Sequence, residues 1–559
     1  MPSEMRSTLL LIASAAVLVG CGSKEGSSSS GTAGGTVIID TPGNAVAIFP
    51  PYVDDQIGRW VQDLVFDRLA DLKAGGTTIG DRGFTARLAQ KWTWAPDSMS
   101  IAFSLDPRAR FHDGTPVTAS DVRYSFNVFT DPKVGSPTAP TLTNIDSISV
   151  RDSLTPVAWF KRRTPEQFYD LAYQLVVLPQ HVYAGIPADQ LRTSAATRSL
   201  VGSGPFRLVK WEAGARLELI ADTSNYRGRP KLDRLIMTAV ETPTAATQVL
   251  AGQADFVEAF PVDQVPKLDS SAVARSNIEP QLGYTFMGMN QHVAKSKTAP
   301  NPIFSDIRVR RALSMAVDRV GMLHNVFGNT GLLAHGPFPM TASYADSTLK
   351  LPAFDTTAAR AMLDSSGWRV GADGMRSKNG VPLRFSLMSP TTSLFRRRYA
   401  VLLQEQFRRL GVQVDLDFVD GPTAVLRSQA GDFQAILHTP GTDPSITGAK
   451  QFWGTGGIGP AGHNILPYSN PKVDALLDSA AAAFDPDKAK AAASRAFQTI
   501  IDDVPAIWLY DVTYYNGINR RITIPQPTLA GWWMNVEHWS IPADKRIPRD
   551  RIGLTAAKP

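Results

Sequence analysis

Cysteine is nearly absent: Cys21 is the only one in 559 residues, so no disulfide can form within the chain. A protein this long does without such staples because its cores bury enough apolar area. Long apolar runs are equally scarce. None beyond the first twenty residues approaches the roughly 20 apolar positions that a spanning helix needs. The eight histidines are scattered, without the spacing of a metal site. Enzyme signatures are missing too: there is no phosphate-binding loop ending in Gly-Lys-Ser/Thr, no His-Glu-x-x-His helix and no Gly-x-Ser-x-Gly elbow. Gly457–Gly462 matches a dinucleotide fingerprint in form only, since Pro460 lies inside it and Pro467 follows where a helix must run. No cofactor is expected. The net charge of +6 is spread out, and its densest cluster, Arg396-Arg397-Arg398, precedes a helical apolar pattern as a solvated helix start. This argues against nucleic acid as a partner.

What is present begins at the N-terminus. Met5-Arg6-Ser7-Thr8 precedes an apolar stretch from Leu9 to Gly20, the layout of an export signal. It closes on Leu18-Val19-Gly20-Cys21, which resembles a bacterial lipobox. That resemblance implies residues 1–20 as a signal peptide and Cys21 as the lipidated mature N-terminus. The location expected is the cell envelope: the periplasmic side of a membrane in a cell with two membranes, the extracellular face in a cell with one. Residues 21–35 are rich in glycine and serine and read as a tether, spanning on the order of 20 Å.

From Thr36 onward, strand and helix signals alternate, predicting α/β lobes. Strands are expected at 101–105, 216–220, 285–289 and 412–418. Helices are expected at Arg308–Phe327, at Thr356–Ser366 between an Asp355 cap and a Gly367 stop, at 399–410, and as a pair at 472–484 and 486–502. Thr118 and Asp121 read as a helix start. His112-Asp113-Gly114 reads as a turn, because glycine supplies the positive φ.

Leu88-Ala89-Gln90-Lys91-Trp92 and Phe111–Val122 together resemble the signature of the family 5 extracellular solute-binding proteins. Gly202-Ser203-Gly204-Pro205-Phe206, Asn225–Asp233, Arg308–Leu313, Tyr468–Asp474 and Asp503–Ile507 follow in the family's order. The resemblance implies an α/β, two-lobed periplasmic-binding-protein-like fold of type II, with an extra subdomain in the first lobe. Lobe I would take 36–283 and 512–559, with 76–199 as the subdomain. Lobe II would take 291–504, and the hinge crossings 284–290 and 505–511. Such a protein is not an enzyme. It captures a small ligand, peptide or peptide-like, by lobe closure and delivers it to the permease of an ABC importer, working as a monomer held to the membrane by its lipid. A sensory or scaffold lipoprotein using the same cleft is the alternative, as is a binder of a non-peptide ligand such as an oligosaccharide or a metal chelate.

Two departures from the family concern the ligand. Where peptide-binding members carry an aspartate for the ligand's free amine, three residues before an Asp-Pro pair, this chain has Pro440; the neighbouring family tryptophan is Leu437. A buried ammonium without its carboxylate keeps a desolvation cost of several kcal/mol. Arg396 is the nearest match to the arginine that clamps a dipeptide carboxylate. His438 and Asp443 remain as polar ligand contacts. Tyr284, Met287, Asn290 and Trp453, close to the hinge, complete the expected cleft lining, with packing between the lobes as their other reading.

Overall fold

A computed structural model describes residues 33–296, 298–459, 462–525 and 531–551. The expected signal peptide, Cys21 and most of the expected tether lie outside the described residues. Gly34 and Gly35, at the tether's end, are already held by the body. Gly34 N donates to the Lys231 carbonyl at 2.7 Å and Gly35 N to Asp233 Oδ2 at 2.9 Å.

The organising element is an eleven-stranded sheet. At its centre two long strands, Ala274–Met289 and Ala506–Asn519, pair antiparallel. On one flank lie Ala435–His438, Arg384–Pro390 and Gln413–Val419; on the other lie Phe256–Val257, Thr36–Thr41, Arg234–Ala239, Arg216–Ala221 and Phe206–Glu212, and the short Leu332–Leu333 pairs with Ala506–Asn519 off this order. Arg384–Pro390 and Gln413–Val419 are parallel and joined through the helix Leu394–Arg409, a βαβ unit. A separate four-stranded antiparallel sheet, drawn from residues 89–160, packs into the same core as the second flank.

Alternation along the central strands divides the apolar side chains between two cores. Tyr284 and Phe286 face one cluster with Trp453, Phe497 and Trp508, whereas Met287 and Met289 face another with Phe304, Phe385, Phe407 and Leu437. Successive strand residues point to opposite faces, so neighbours 286 and 287 serve different cores. A third, larger core gathers Trp60, Phe103, Phe126, Phe256 and Trp539 on the other flank. Arg521 fastens the two ends of the chain there. Its guanidinium donates to Asp255 Oδ1 at 2.9 Å, Asp550 Oδ2 at 2.7 Å and the Thr36 carbonyl at 2.8 Å.

Pairing of the central strands shifts register twice, between Pro280 and Tyr284 and again between Thr285 and Phe286, and the first shift is the larger. Pro280 opposes Thr513 and Tyr284 opposes Asp511, so Gln281, Leu282 and Gly283 stand against Val512 alone. This is a three-against-one bulge, which bends a strand and re-aims its side chains.

Most local expectations hold. Asp355 caps Thr356–Ser365 by accepting from Ala358 N at 2.8 Å, and Gly367 follows at φ +87°. Asp121 Oδ2 accepts from Thr118 N at 2.8 Å, and Gly114 turns at φ +89°. His112 also joins two of the signature segments: Gly202 N donates to its Nδ1 at 3.2 Å, leaving Nε2 to donate to the Gly204 carbonyl at 3.0 Å. One expectation fails. The helix proposed for Arg308–Phe327 is two helices, Ile307–Met315 and Arg319–Phe327. Asp318 accepts from Gly321 N at 2.9 Å and restarts the helix as an N-cap, leaving Val320 64% exposed rather than on a buried stripe.

Candidate ligand-binding site

A cavity of about 610 Å³ opens beside the bulge. That volume lies within the range of small-molecule and cofactor sites, several hundred Å³. One wall is the helix Gln56–Val65, which turns Gln56, Arg59, Gln62 and Asp63 to the cavity while burying Ile57, Trp60, Val61 and Leu64 in the large core. Spacings of three and four residues separate the two faces. Asp55 caps this helix, accepting from Gly58 N at 2.8 Å. Tyr169 and Tyr173 extend the same wall from a π-helical turn, Tyr169–Tyr173, their rings stacked with centroids 5.4 Å apart. Such turns place side chains that a regular helix would point elsewhere.

The opposite wall is the loop Thr439–Pro444. Gln281, Leu282 and Gly283 of the bulge form the floor, with Val512 and Tyr514 from the partner strand. Hydroxyls from the loop's side of the molecule secure the bulge. Thr442 donates to the Leu282 carbonyl and Thr341 to the Gln281 carbonyl, the latter at 3.0 Å. Gly283 is needed for close approach: a Cβ there would stand 3.1 Å from Val512 Cγ2 and 3.8 Å from the Pro440 carbonyl oxygen.

Charge on the helix wall is largely neutralised from behind. Asp63 pairs with Arg68, whose guanidinium lies 4.3 Å from the Tyr173 ring centroid, and Asp63 Oδ2 also accepts from Trp533 Nε1 at 3.0 Å. Arg59 differs. It is exposed to the cavity, and no ion pair or side-chain hydrogen bond engages its guanidinium among the described residues. On the loop wall, Asp443 Oδ2 accepts from Tyr169 Oη at 3.0 Å and Oδ1 accepts from Ser445 N at 2.6 Å. Burial, reinforced by the nearby Glu166 carboxylate, raises the Asp443 pKa above the ordinary value. Asp170 is pushed up to about 8 by burial, then by Glu166 and Asp443, so it is largely neutral at pH 7.

Beneath the floor lies a second acidic pair. Glu258 accepts from Trp532 Nε1 at 3.1 Å and from Gln56 Nε2 at 3.2 Å. Glu279 accepts from Asn516 Nδ2 at 2.7 Å. Burial above all lifts Glu258 to about 8 and Glu279 to about 7.

The residues singled out from sequence are distributed unevenly. Asp443 lines the cavity, as does Pro440. Tyr284, Met287, Asn290 and Trp453 are not among its lining residues; all four are buried. Trp453 Nε1 donates to Tyr284 Oη at 2.8 Å inside one core, Met287 belongs to another, and Asn290 Nδ2 donates to the Phe433 carbonyl at 3.1 Å. For Tyr284 and Met287 the packing role follows from the strand alternation described above. His438 stands behind the loop wall, its ring centroid 5.6 Å from that of Phe286. Burial, with Arg396 and His463 nearby, depresses its pKa to about 3, so its imidazole is neutral. Arg396 is half-buried near Tyr510, outside the cavity lining, and burial lowers its pKa. Sequence reading missed Gln56, Arg59, Gln62, Tyr169 and Tyr173. The one available signal was the polar face of the Gln56–Val65 helix, which looks like any solvated face until its surroundings are known. Among the described residues, no group of three or more His, Cys, Asp or Glu is placed to hold a metal ion, and no helix is long and apolar enough to cross a membrane.

Known proteins share this architecture. The family model described as bacterial extracellular solute-binding proteins, family 5 Middle, matches residues 83–456. The oligopeptide-binding protein AppA of Bacillus subtilis is 24% identical over 531 residues, covering 90% of this chain and 91% of its own. Its structure in complex with a nonapeptide superposes with a TM-score of 0.72 at 21% identity, over 91% of this chain and 99% of that one. NikZ from Campylobacter jejuni, in complex with Ni(L-His), superposes with a TM-score of 0.73 at 21% identity, over 90% and 99% of the two chains. Those folds are two-lobed, and the mixed α/β architecture of this chain matches them. The match to the family model spans most of the body that holds the cavity, and it settles the class: this chain belongs to the bacterial extracellular solute-binding proteins of family 5, binding components of ABC transporters that hold a substrate without transforming it.

Proposed function

We propose that this protein captures a peptide or peptide-like ligand in the cavity beside the 281–283 bulge, closes its two lobes over it and delivers it to the permease of an ABC importer. The observation that carries this reading is the cavity's construction. Its helix wall belongs to one flank of the sheet, its loop wall to the other, and its floor to the two strands that pass between them. Flanks hinged on those strands would trap a ligand by rotation. The names of the relatives, oligopeptide-binding AppA among them, favour a peptide. Pro440 in the loop wall removes the expected carboxylate for a free amine, so Asp443, one loop position from Pro444, is the acidic group left to meet a donor there. Arg59 across the cavity is the matching site for a carboxylate or carbonyl. The lobes would be 36–283 with 512–559, and 291–504. Lipidation of Cys21 would keep the receptor at the membrane, where two acyl chains anchor stably and one does not.

A second reading is favoured by the amide and ring content of the walls. Gln56, Gln62, Gln174 and Gln281, with Tyr169, Tyr173 and Trp533, would equally suit a neutral, hydroxyl-rich ligand such as an oligosaccharide. Native mass spectrometry of the gently purified protein, followed by calorimetry with peptide pools and oligosaccharides, separates the two. A bound peptide and a ligand-dependent fall in the radius of gyration by X-ray scattering are expected. Absence of both, with every ligand class, removes the proposal.

A further inference from the structure

Glu166 joins the two flanks of the molecule. It is buried at 7% exposure and sits one turn ahead of the π-helical turn that carries Tyr169. Its Oε1 accepts from Thr78 Oγ1 at 2.5 Å, on its own side. Its Oε2 accepts from Ser445 Oγ at 2.6 Å and Thr447 Oγ1 at 2.8 Å, both on the loop-wall side and 279 and 281 residues away in sequence. Ser445 is itself the N-cap of the helix Ile446–Trp453, accepting from Thr447 N at 3.0 Å. The carboxylate therefore meets the positive end of that helix as well as two hydroxyls. Two further contacts bridge the same seam: Tyr169 to Asp443, and the Arg163 guanidinium 4.1 Å from the Phe484 ring centroid.

The division of labour at Glu166 is specific. Thr78 fixes the rotamer from within the same flank, so the free oxygen is already aimed when the seam closes. Burial shields these hydrogen bonds from competing water. If the flanks separated, Thr78 would stay while Ser445 and Thr447 would leave. A buried carboxylate used in packing alone has no reason to draw two of its three donors from the far side.

We propose that Glu166 is the latch of the closed state, a positioning residue that holds the loop wall against the helix wall by its bonds to Ser445 and Thr447. This rests on the lobe closure proposed above. The test uses the full chain in a Cys21→Ser background, with dyes on Lys133→Cys and Lys488→Cys, two exposed positions on opposite flanks. Single-molecule energy transfer then gives the ratio of closed to open forms and the closed lifetime. Expected are two populations in the parent and at least a tenfold fall in the closed-to-open ratio for Glu166→Gln. A comparable fall is expected for the Ser445→Ala, Thr447→Val double variant, with little further change when all three substitutions are combined. The last result is the signature of a shared contact, which a purely structural Glu166 would not produce. Two populations with an unchanged ratio in either variant overturn the latch alone. A single population in the parent, with every peptide pool added, overturns the closure reading with it. If Glu166→Gln does not fold, the 445/447 double variant decides the matter from the other side.

Discussion

The two walls of the cavity are held in opposite ways. The helix wall is secured from behind by its own flank: Trp60 is fully buried with its ring 4.7 Å from that of Trp532, Asp63 is bound by Arg68 and Trp533, and Gln56 by Glu258. The loop wall has neither helix nor strand over Thr439–Pro444, and the bonds that fix it lead elsewhere: to the bulge through Thr442, to the central strand through Thr439 and Thr285 at 2.7 Å, and to the opposite flank through Asp443 and Tyr169. One wall has a shape of its own, and the other takes its shape from contacts across the seam. Under the proposed function, selectivity would belong first to the helix wall, and the timing of capture and release to the loop.

Four substitutions would break or sharpen that contrast. Trp60→Ala removes the support of the helix wall and should destabilise its flank by about 3–5 kcal/mol, read as an early, separate transition in calorimetry that leaves the other flank's melting unchanged. A single undisturbed transition would mean the wall is not self-supported. Glu279→Gln concerns the floor. Because burial lifts Glu279 to about 7 and Glu258 to about 8, the native state holds protons the unfolded chain has lost. Stability is then fullest below the ordinary glutamate range and declines as pH rises through about 4.5 to 8. The variant should recover about 3 kcal/mol at pH 8 and almost nothing at pH 4; equal effects at both would contradict the assignment. Gly283→Ala crowds Val512 where the two walls meet, and should cost about 1 kcal/mol of stability while weakening ligand affinity more than that in calorimetric titration. Arg59→Ala should change stability by no more than about 0.5 kcal/mol, since the side chain is exposed and unpaired. It should nevertheless lower affinity, and a variant of unchanged affinity would remove Arg59 from the selective wall.

The same contrast explains what could be read from the sequence. Fold, family and most helix boundaries were legible because they rest on local signals: Asp355 as a cap, Gly367 as a stop, and apolar residues at regular spacing. Asp318 shows the limit, since a cap in mid-pattern split a helix that periodicity alone had joined. The site was less legible. Arg59, Gln56 and Gln62 lie on a polar helix face indistinguishable from a solvated one, and Glu166 gains its meaning from partners about 280 residues away. The aromatic and apolar residues favoured near the crossing, Tyr284, Met287 and Trp453, are instead drawn into cores by the burial that made them conspicuous. Asp443, singled out through the resemblance of the Leu437–Pro444 segment to the family's, does line the cavity.

The bulge at Gln281–Gly283 has one consequence for energetics under the closure proposed here. A swinging door is easiest to push at its handle, yet this receptor would be pushed at its axle, because the residues that interrupt the strand pairing are those a ligand lies against. Small torsions at the axle are magnified along both flanks, so contacts at the distant rim would register a cargo they never touch. Torque generated by a few backbone groups, rather than the total area a ligand covers, would then set how firmly the door stays shut, and cargoes of different length could drive the same swing.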